Sequence, residues 1–169
     1  ARPRITDQPA VIQDADAVII PGVGSGHAAM GALREKGLVR PLINSATSGK
    51  PFLAVCLGLQ LLMDHTDEGD SHCLGIVAGR VHQLPGVIKV PHMGWNQVEF
   101  RGFHPLSQDL PQSSNFYFVH SFYAEPDDEE GIVGTTNYGI YFCSVFALGN
   151  IWATQFHPEK SGTLGLKVY

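Results

Sequence analysis

The 169-residue sequence predicts an α/β fold, a three-layer sandwich with a mixed, mostly parallel central sheet. Three observations predict it. Short apolar runs alternate with helical segments through the first half, the order that builds parallel strands joined by crossover helices. The second half turns to short strand-like runs separated by Gly, Pro and acidic turns, which suits antiparallel strands added to the same sheet. No repeat, low-complexity segment or linker interrupts the chain, so residues 1–169 are expected to form one domain with a core of its own.

The elements follow in order. Ala17–Ile20 is a short apolar run ended by Pro21-Gly22, the pattern of a buried strand. Ala28–Lys36 has helical composition and stops at Gly37, and Val39–Ala46 is a second helical segment. Phe52–Val55 reads as another buried strand, continued by an apolar helix over Gly58–Met63. Strands are expected over Ile76–Val81, Val87–Val90, Asn115–Tyr123, Ile132–Thr136, Tyr141–Ala147 and Ile151–Gln155. The acidic run Asp127–Gly131 reads as a solvated turn, and Ser161–Leu166 begins a last helix.

Composition excludes several classes. Sixteen acidic against eleven basic residues give a net charge of −5, which argues against a dedicated nucleic-acid binder. The three cysteines, Cys56, Cys73 and Cys143, show neither CxxC spacing nor an even disulfide pattern, which favours a reducing, cytoplasmic setting. The longest apolar run, Phe52–Met63, is too short to span a bilayer, and no signal peptide is visible. His27, His65, His72, His82, His92, His104 and His120 show no paired metal-ligand spacing, so no metal is expected.

Two separated segments carry chemistry. Cys56 follows a buried strand and opens an apolar helix, with Ala54 and Gly58 small enough for a tight turn. That is nucleophile-elbow geometry with Cys in place of Ser. The helix N-terminus is expected to lower the thiol pKa, and the Leu57 N–H to point at an oxyanion. Taken alone, Cys56 reads more readily as a buried structural cysteine, since free Cys is among the most buried residue types. His157 and Glu159 stand two apart beyond an apolar strand, so that one imidazole nitrogen faces a nucleophile while Glu159 holds the other. The alternative is an exposed strand end before a proline turn. Pro21-Gly22-Val23-Gly24-Ser25-Gly26 is a Gly-rich strand end that lacks the lysine of a P-loop; its backbone N–H groups suit an oxyanion, or it is a plain turn. His120 is polar inside an aromatic strand, either core or pocket. Lys89–Asn96 places Met93 and Trp95 beside Pro and Gly, the composition of a loop with an apolar partner surface, or of a core edge.

Taken together, these residues resemble the class I (triad) glutamine amidotransferases, and among them the HisH-type glutaminase subunits of imidazole glycerol phosphate synthase. The resemblance rests on five segments in family order: Pro21–Ser25, Cys56–Leu62, Lys89–Asn96, Tyr117–Tyr123 and Gln155–Gly162. It implies a Cys56–His157–Glu159 triad that hydrolyses glutamine to glutamate and ammonia through a γ-glutamyl thioester. It implies an oxyanion hole from Val23, Gly24 and Leu57, and glutamine contacts from Gln60, His120, Ser121 and Phe122. Met93, Trp95, Asn96, Tyr117 and Lys160 would face a (β/α)₈-barrel cyclase that receives the ammonia and makes imidazole glycerol phosphate and AICAR for histidine biosynthesis. The pair would be a cytoplasmic heterodimer, with no organic cofactor or metal in this subunit. Against the family pattern the chain reads as shortened at both ends, with Ala54 where Gly is usual and Gly26 where Phe is usual. The other readings are a catalytically impaired module that docks on a partner or self-associates, and another class I glutaminase or γ-glutamyl hydrolase.

Overall fold

The computed structural model describes residues 2–102 and 105–169; Ala1, Phe103 and His104, the last among the histidines considered above, lie outside the described residues. The first half runs α1 (Pro9–Asp14), β1 (Val18–Gly22), α2 (Gly26–Glu35), α3 (Val39–Thr47), β2 (Phe52–Cys56) and α4 (Leu57–Leu62). Pattern alone assigns no helix to α1. It forms with Pro9 in its first turn and buries Ile12 against the core. Ser25 caps α2, its hydroxyl accepting from the Ala28 N–H, and Gly37 ends that segment in the left-handed region at φ +66°. The second half runs β3 (His65–Thr66), β4 (Ser71–His72), β5 (Gly79–Gln83), β6 (His92–Phe100), β7 (Ser113–His120), β8 (Phe122–Pro126), β9 (Ile132–Asn137), β10 (Tyr141–Leu148), β11 (Ile151–Thr154) and α5 (Gly162–Leu166).

The strands form a seven-stranded sheet, β1-β2-β11-β10-β9-β6-β7, and a four-stranded sheet, β4-β3-β5-β8. The large sheet is mixed, as expected, but its parallel share is smaller than expected. Only β1 with β2 and β2 with β11 are parallel, and the other four pairings are antiparallel. Alternation puts Ile151 and Ala153 in one apolar cluster and Trp152 against the other, so the sheet separates two cores. Helices α1–α4 contribute Ile12, Met30, Leu42 and Leu59 to the first core. Val168 and Leu164, at α5, join Phe116, Phe118, Phe142 and Phe156 in the second. The result is the three-layer arrangement, with β1 outermost on one side of the sheet among the described residues. Val18 and Ile20 are buried, but Ile19 on the opposite face is 55% exposed, so the expected buried strand is buried on one face only.

Four local expectations change, each for a physical reason. Val87–Val90 forms no strand: the run sits between Pro85-Gly86 and Pro91, finds no neighbouring strand, and leaves Val87 exposed. Only the end of Ile76–Val81 joins β5. Asn115–Tyr123 is two strands, β7 in the large sheet and β8 in the small one, because the chain changes sheets at Ser121. The expected loop over Lys89–Asn96 becomes strand from His92 onward, where eight residue pairs with β7 outweigh the local Pro and Gly.

The β2–α4 junction is built on close approach. Gly22 lies in register with Cys56, and a Cβ on Gly22 would meet Leu57 Cβ at 2.6 Å. A Cβ on Gly58 would lie 2.3 Å from the Ile20 carbonyl oxygen. Across the β6–β7 pairing, His92 and His120 face each other with Nδ1 of His92 2.9 Å from Nε2 of His120. His92 stacks on Tyr138 with ring centroids 3.9 Å apart and on Phe118 at 4.9 Å. Burial pushes both imidazoles down, His92 to about 4 and His120 to about 3.

Two outcomes follow from these contacts. Gly58→Ala sets a methyl group against backbone that cannot yield, and the urea unfolding free energy is expected to fall by about 2–4 kcal/mol. Unfolded, each buried imidazole titrates near its usual ~6.5, while folded it stays neutral to about 4 or 3. Acidification from pH 6.5 therefore protonates the unfolded chain first, and stability is lost as pH falls toward 4. A drop of about 3–5 kcal/mol between pH 7 and 4.5 is expected in urea titrations, and a flat profile would contradict the buried pair.

Candidate active site

Cys56 is the last residue of β2 and the residue before α4, in the sparsely populated backbone conformation φ 54°, ψ −106°. A non-glycine residue at positive φ is strained, and the close approach at Gly22 and Gly58 holds it there. The side chain is buried at 5% exposure. Its Sγ lies 3.9 Å from the Val119 carbonyl oxygen and 3.6 Å from Gln155 Nε2, and the Leu57 N–H is directed at it.

The expected low thiol pKa is corrected. Burial pushes the Cys56 thiol up to about 11, outweighing the Leu57 and Gln155 donors; the Glu159 charge adds to the rise and Lys160 opposes it. A helix of six residues cannot match the loss of hydration around the sulfur. The resting group is a thiol.

His157 is buried, and Glu159 Oε1 lies 2.8 Å from its Nδ1. Its other ring nitrogen, Nε2, is buried and has no hydrogen-bond partner. The expected geometry of two positions on one extended segment does not hold, since β11 ends at Thr154. Pro158–Lys160 is a 3₁₀ turn, and that turn carries Glu159 back to the imidazole. The His157 N–H bonds to the Tyr117 carbonyl, and Ser161 Oγ donates to the His157 carbonyl at 2.6 Å, so the backbone of this histidine is tied to β7.

A cavity of ≈ 490 Å³ gathers most of the expected residues: Val23, Gly24, Cys56, Leu57, Gln60, His120, Ser121, Phe122, His157 and Lys160 all line it. Gly24 takes φ +93°, a conformation open to glycine, and Val23 is exposed. Gln60 donates both amide hydrogens inward, to the Phe122 carbonyl at 2.8 Å and to Gln155 Oε1 at 3.1 Å, so its carbonyl oxygen is what it can offer a ligand. Glu159 stands apart from this cavity. It borders a smaller hollow on the far side of His157 with Ile19, Val55 and Tyr169.

Four of the five expected partner residues, Met93, Trp95, Tyr117 and Lys160, form one patch beside the cavity. Met93 and Trp95 are 62% and 60% exposed on alternate positions of β6. Trp95 pairs across the strands with Tyr117, ring edge to face at 6.2 Å, and Lys160 Nζ lies 6.0 Å from the Tyr117 ring centre. Asn96 instead turns inward, its amide donating to the Asn137 carbonyl and to His92 Nε2.

Sequence reasoning missed two residues. Glu68 lines the cavity and accepts from the Gly26 N–H at 2.5 Å; in sequence it reads only as part of the acidic turn Asp67–Asp70. Gln155, fully buried behind Cys56, stands inside a motif already singled out for its histidine, and nothing local marks its side chain. No cluster of three or more His, Cys, Asp or Glu suited to a metal occurs among the described residues, and no described helix is long and apolar enough to cross a membrane.

Comparison with known proteins gives these features a family. The model for glutamine amidotransferase class-I matches residues 3–168. The chain is 48% identical over 166 residues to the imidazole glycerol phosphate synthase subunit HisH of Dehalococcoides mccartyi strain CBDB1, covering 98% of this chain and 81% of that protein. It is 47% identical to the same subunit of Moorella thermoacetica, covering 97% and 79%. In structure it resembles a crystallised glutamine amidotransferase at a TM-score of 0.72 and 18% identity, over 95% of this chain and 80% of the other. It also resembles the glutaminase domain of Trypanosoma brucei CTPS at a TM-score of 0.63 and 14% identity, over 95% and 72%. The structural likenesses concern the fold, whereas the sequence matches span almost the whole chain: it belongs to the class-I glutamine amidotransferases and, among them, to the HisH family.

Proposed function

We propose that the chain is a glutaminase that hydrolyses glutamine to glutamate and ammonia and hands the ammonia to a synthase partner. The observation that carries this reading is the cavity itself. It brings together the Cys56 thiol, the Leu57 N–H and a histidine whose Nε2 is unpaired while Glu159 holds its Nδ1.

The chemistry runs from the resting thiol. With the side-chain amide of glutamine in the cavity, Cys56 passes its proton to His157 Nε2 and its sulfur attacks the amide carbon. Glu159 keeps the proton of His157 on Nδ1 and stabilises the imidazolium. The oxyanion is met by the N–H of Leu57 and by the Val23–Gly24 backbone. His157 then gives its proton to the leaving nitrogen, the C–N bond breaks, and ammonia departs from a γ-glutamyl thioester. Water deprotonated by His157 hydrolyses that ester, releasing glutamate and returning the thiol. The carbonyl of Gln60 and the Ser121–Phe122 segment hold the amino-acid part, and the Glu68 carboxylate suits its ammonium group. His120 shapes the wall as a neutral imidazole.

The exposed Met93 and Trp95, with the half-buried Tyr117 and with Lys160, are the surface on which the partner docks, Asn96 supporting it from within, in keeping with the subunit names of the relatives. We take that partner to be a (β/α)₈ cyclase that makes imidazole glycerol phosphate and AICAR, and the setting to be cytoplasmic.

Two experiments test the reading. Cys56→Ala is expected to lower glutamate release at least about 10³-fold and to lose the mass-spectrometric adduct with a glutamine-like chloroketone, while keeping the circular dichroism spectrum. An adduct that persists in Cys56→Ala would remove the thiol from the mechanism. Trp95→Ala is expected to weaken binding of the cyclase subunit about 10–100-fold by calorimetry, with the fold unchanged.

A further inference from the structure

Gln155 is a fully buried amide whose hydrogen bonds set its direction. Gln60 Nε2 donates to its Oε1 at 3.1 Å, so its own Nε2 is the end turned to the Cys56 sulfur, 3.6 Å away. The constraint continues outward. The Phe122 carbonyl accepts from Gln60 and also lies 2.8 Å from His120 Nδ1, which fixes the His120 proton on Nδ1. His120 Nε2 must then accept, and the donor is His92 Nδ1 at 2.9 Å. His92 Nε2 accepts in turn from Asn96, whose amide also holds the Asn137 carbonyl. Every member of this series has one donor–acceptor assignment consistent with its neighbours, and both imidazoles stay neutral through the physiological range.

We propose that Gln155 positions and stabilises the nucleophile, its amide N–H receiving the charge of the Cys56 sulfur as the proton leaves for His157, and that the series Gln60–His120–His92–Asn96 holds that amide in the required direction. The role rests on the glutaminase reading for its reaction but not for its geometry. Gln155 backs the sulfur from the buried side, whereas His157 lines the cavity together with Cys56. A buried thiolate needs donors, and among the described residues the Leu57 N–H and the Gln155 amide are the ones directed at this one. When the sulfur attacks, the charge moves to the substrate oxygen of the tetrahedral adduct, and neither that adduct's sulfur nor the neutral thioester that follows leaves the amide an anion to hold. It acts again when hydrolysis expels the thiolate.

The test reads the thiol directly. Alkylation of Cys56 by iodoacetamide, followed by mass spectrometry at that residue, measures its thiolate fraction without glutamine. The titratable and charged groups around it are His157, Glu159 and Lys160 from the turn after β11, His120 from β7, and Glu68 across the cavity. Gln155→Met keeps the volume and removes the donor. Its alkylation rate at pH 8–9 is expected to fall about tenfold, with kcat for glutamine hydrolysis falling in parallel and KM within about twofold. Gln155→Glu keeps the shape with acceptors only and is expected to slow alkylation at least as much; it carries the test if Gln155→Met does not fold. Gln155→Asn, an amide one methylene short, is expected to fall between Gln155→Met and wild type. Folded Gln155→Met and Gln155→Glu with alkylation rates and kcat within twofold of wild type would overturn the role. If the variants slow alkylation but wild type releases no glutamate from glutamine, the positioning of the thiol stands and the glutaminase reading falls.

Discussion

The parallel pairing of β1 with β2 is the constraint on which the site depends. It sets Gly22 beside Cys56 and brings the Ile20 carbonyl to within van der Waals range of Gly58. With side chains excluded from both contacts, the chain can leave β2 in a conformation that a cysteine seldom adopts and enter α4 at once. The same pairing, extended through β2 to β11, delivers His157 beyond the end of the neighbouring strand. Cys56 and His157, the proposed nucleophile and base, therefore come from adjacent parallel strands, at the carboxyl ends where α/β sheets place their ligands.

The energetics of the site run against the nucleophile at rest. Burial holds Cys56 protonated, and the groups that favour thiolate, the Leu57 N–H, the Gln155 amide and the Lys160 charge, do not offset it. What the site offers in exchange is a base with one nitrogen held by Glu159 and the other unpaired in the same wall. A thiol that ionises only as its proton is taken is protected from adventitious oxidation and alkylation, and reactivity appears where substrate and donors converge.

Much of this was legible in sequence, and what was not has specific causes. The β2–α4 elbow was readable because an apolar run, a cysteine and small flanking residues all report one local geometry. That Cys56, His157 and Glu159 belong near one another was readable because each sits in a short segment with its own pattern, and the family resemblance joined them. The break at Ser121 was not readable, since nothing in Asn115–Tyr123 says which of two sheets each half will join. Val87–Val90 looked like a strand because its residues favour one, yet a strand needs a neighbour. The thiol pKa was misjudged because a motif reports the helix end but not the depth of burial. Gln155 and Glu68 stayed hidden because their roles lie in contacts 99 and 42 residues away along the chain.

Pro21 gives the edge of the large sheet a further character. β1 is the outermost strand on its side among the described residues, with Ile19 turned to solvent. An outermost strand presents backbone donors and acceptors that another chain can take up, which is the usual beginning of sheet-to-sheet aggregation. A proline inside β1 removes one of those donors and stiffens the backbone where an incoming strand would have to match it. Among the described residues, a strand that approached β1 from outside would thus meet a ladder with one rung interrupted at Pro21, just before the glycine-rich turn.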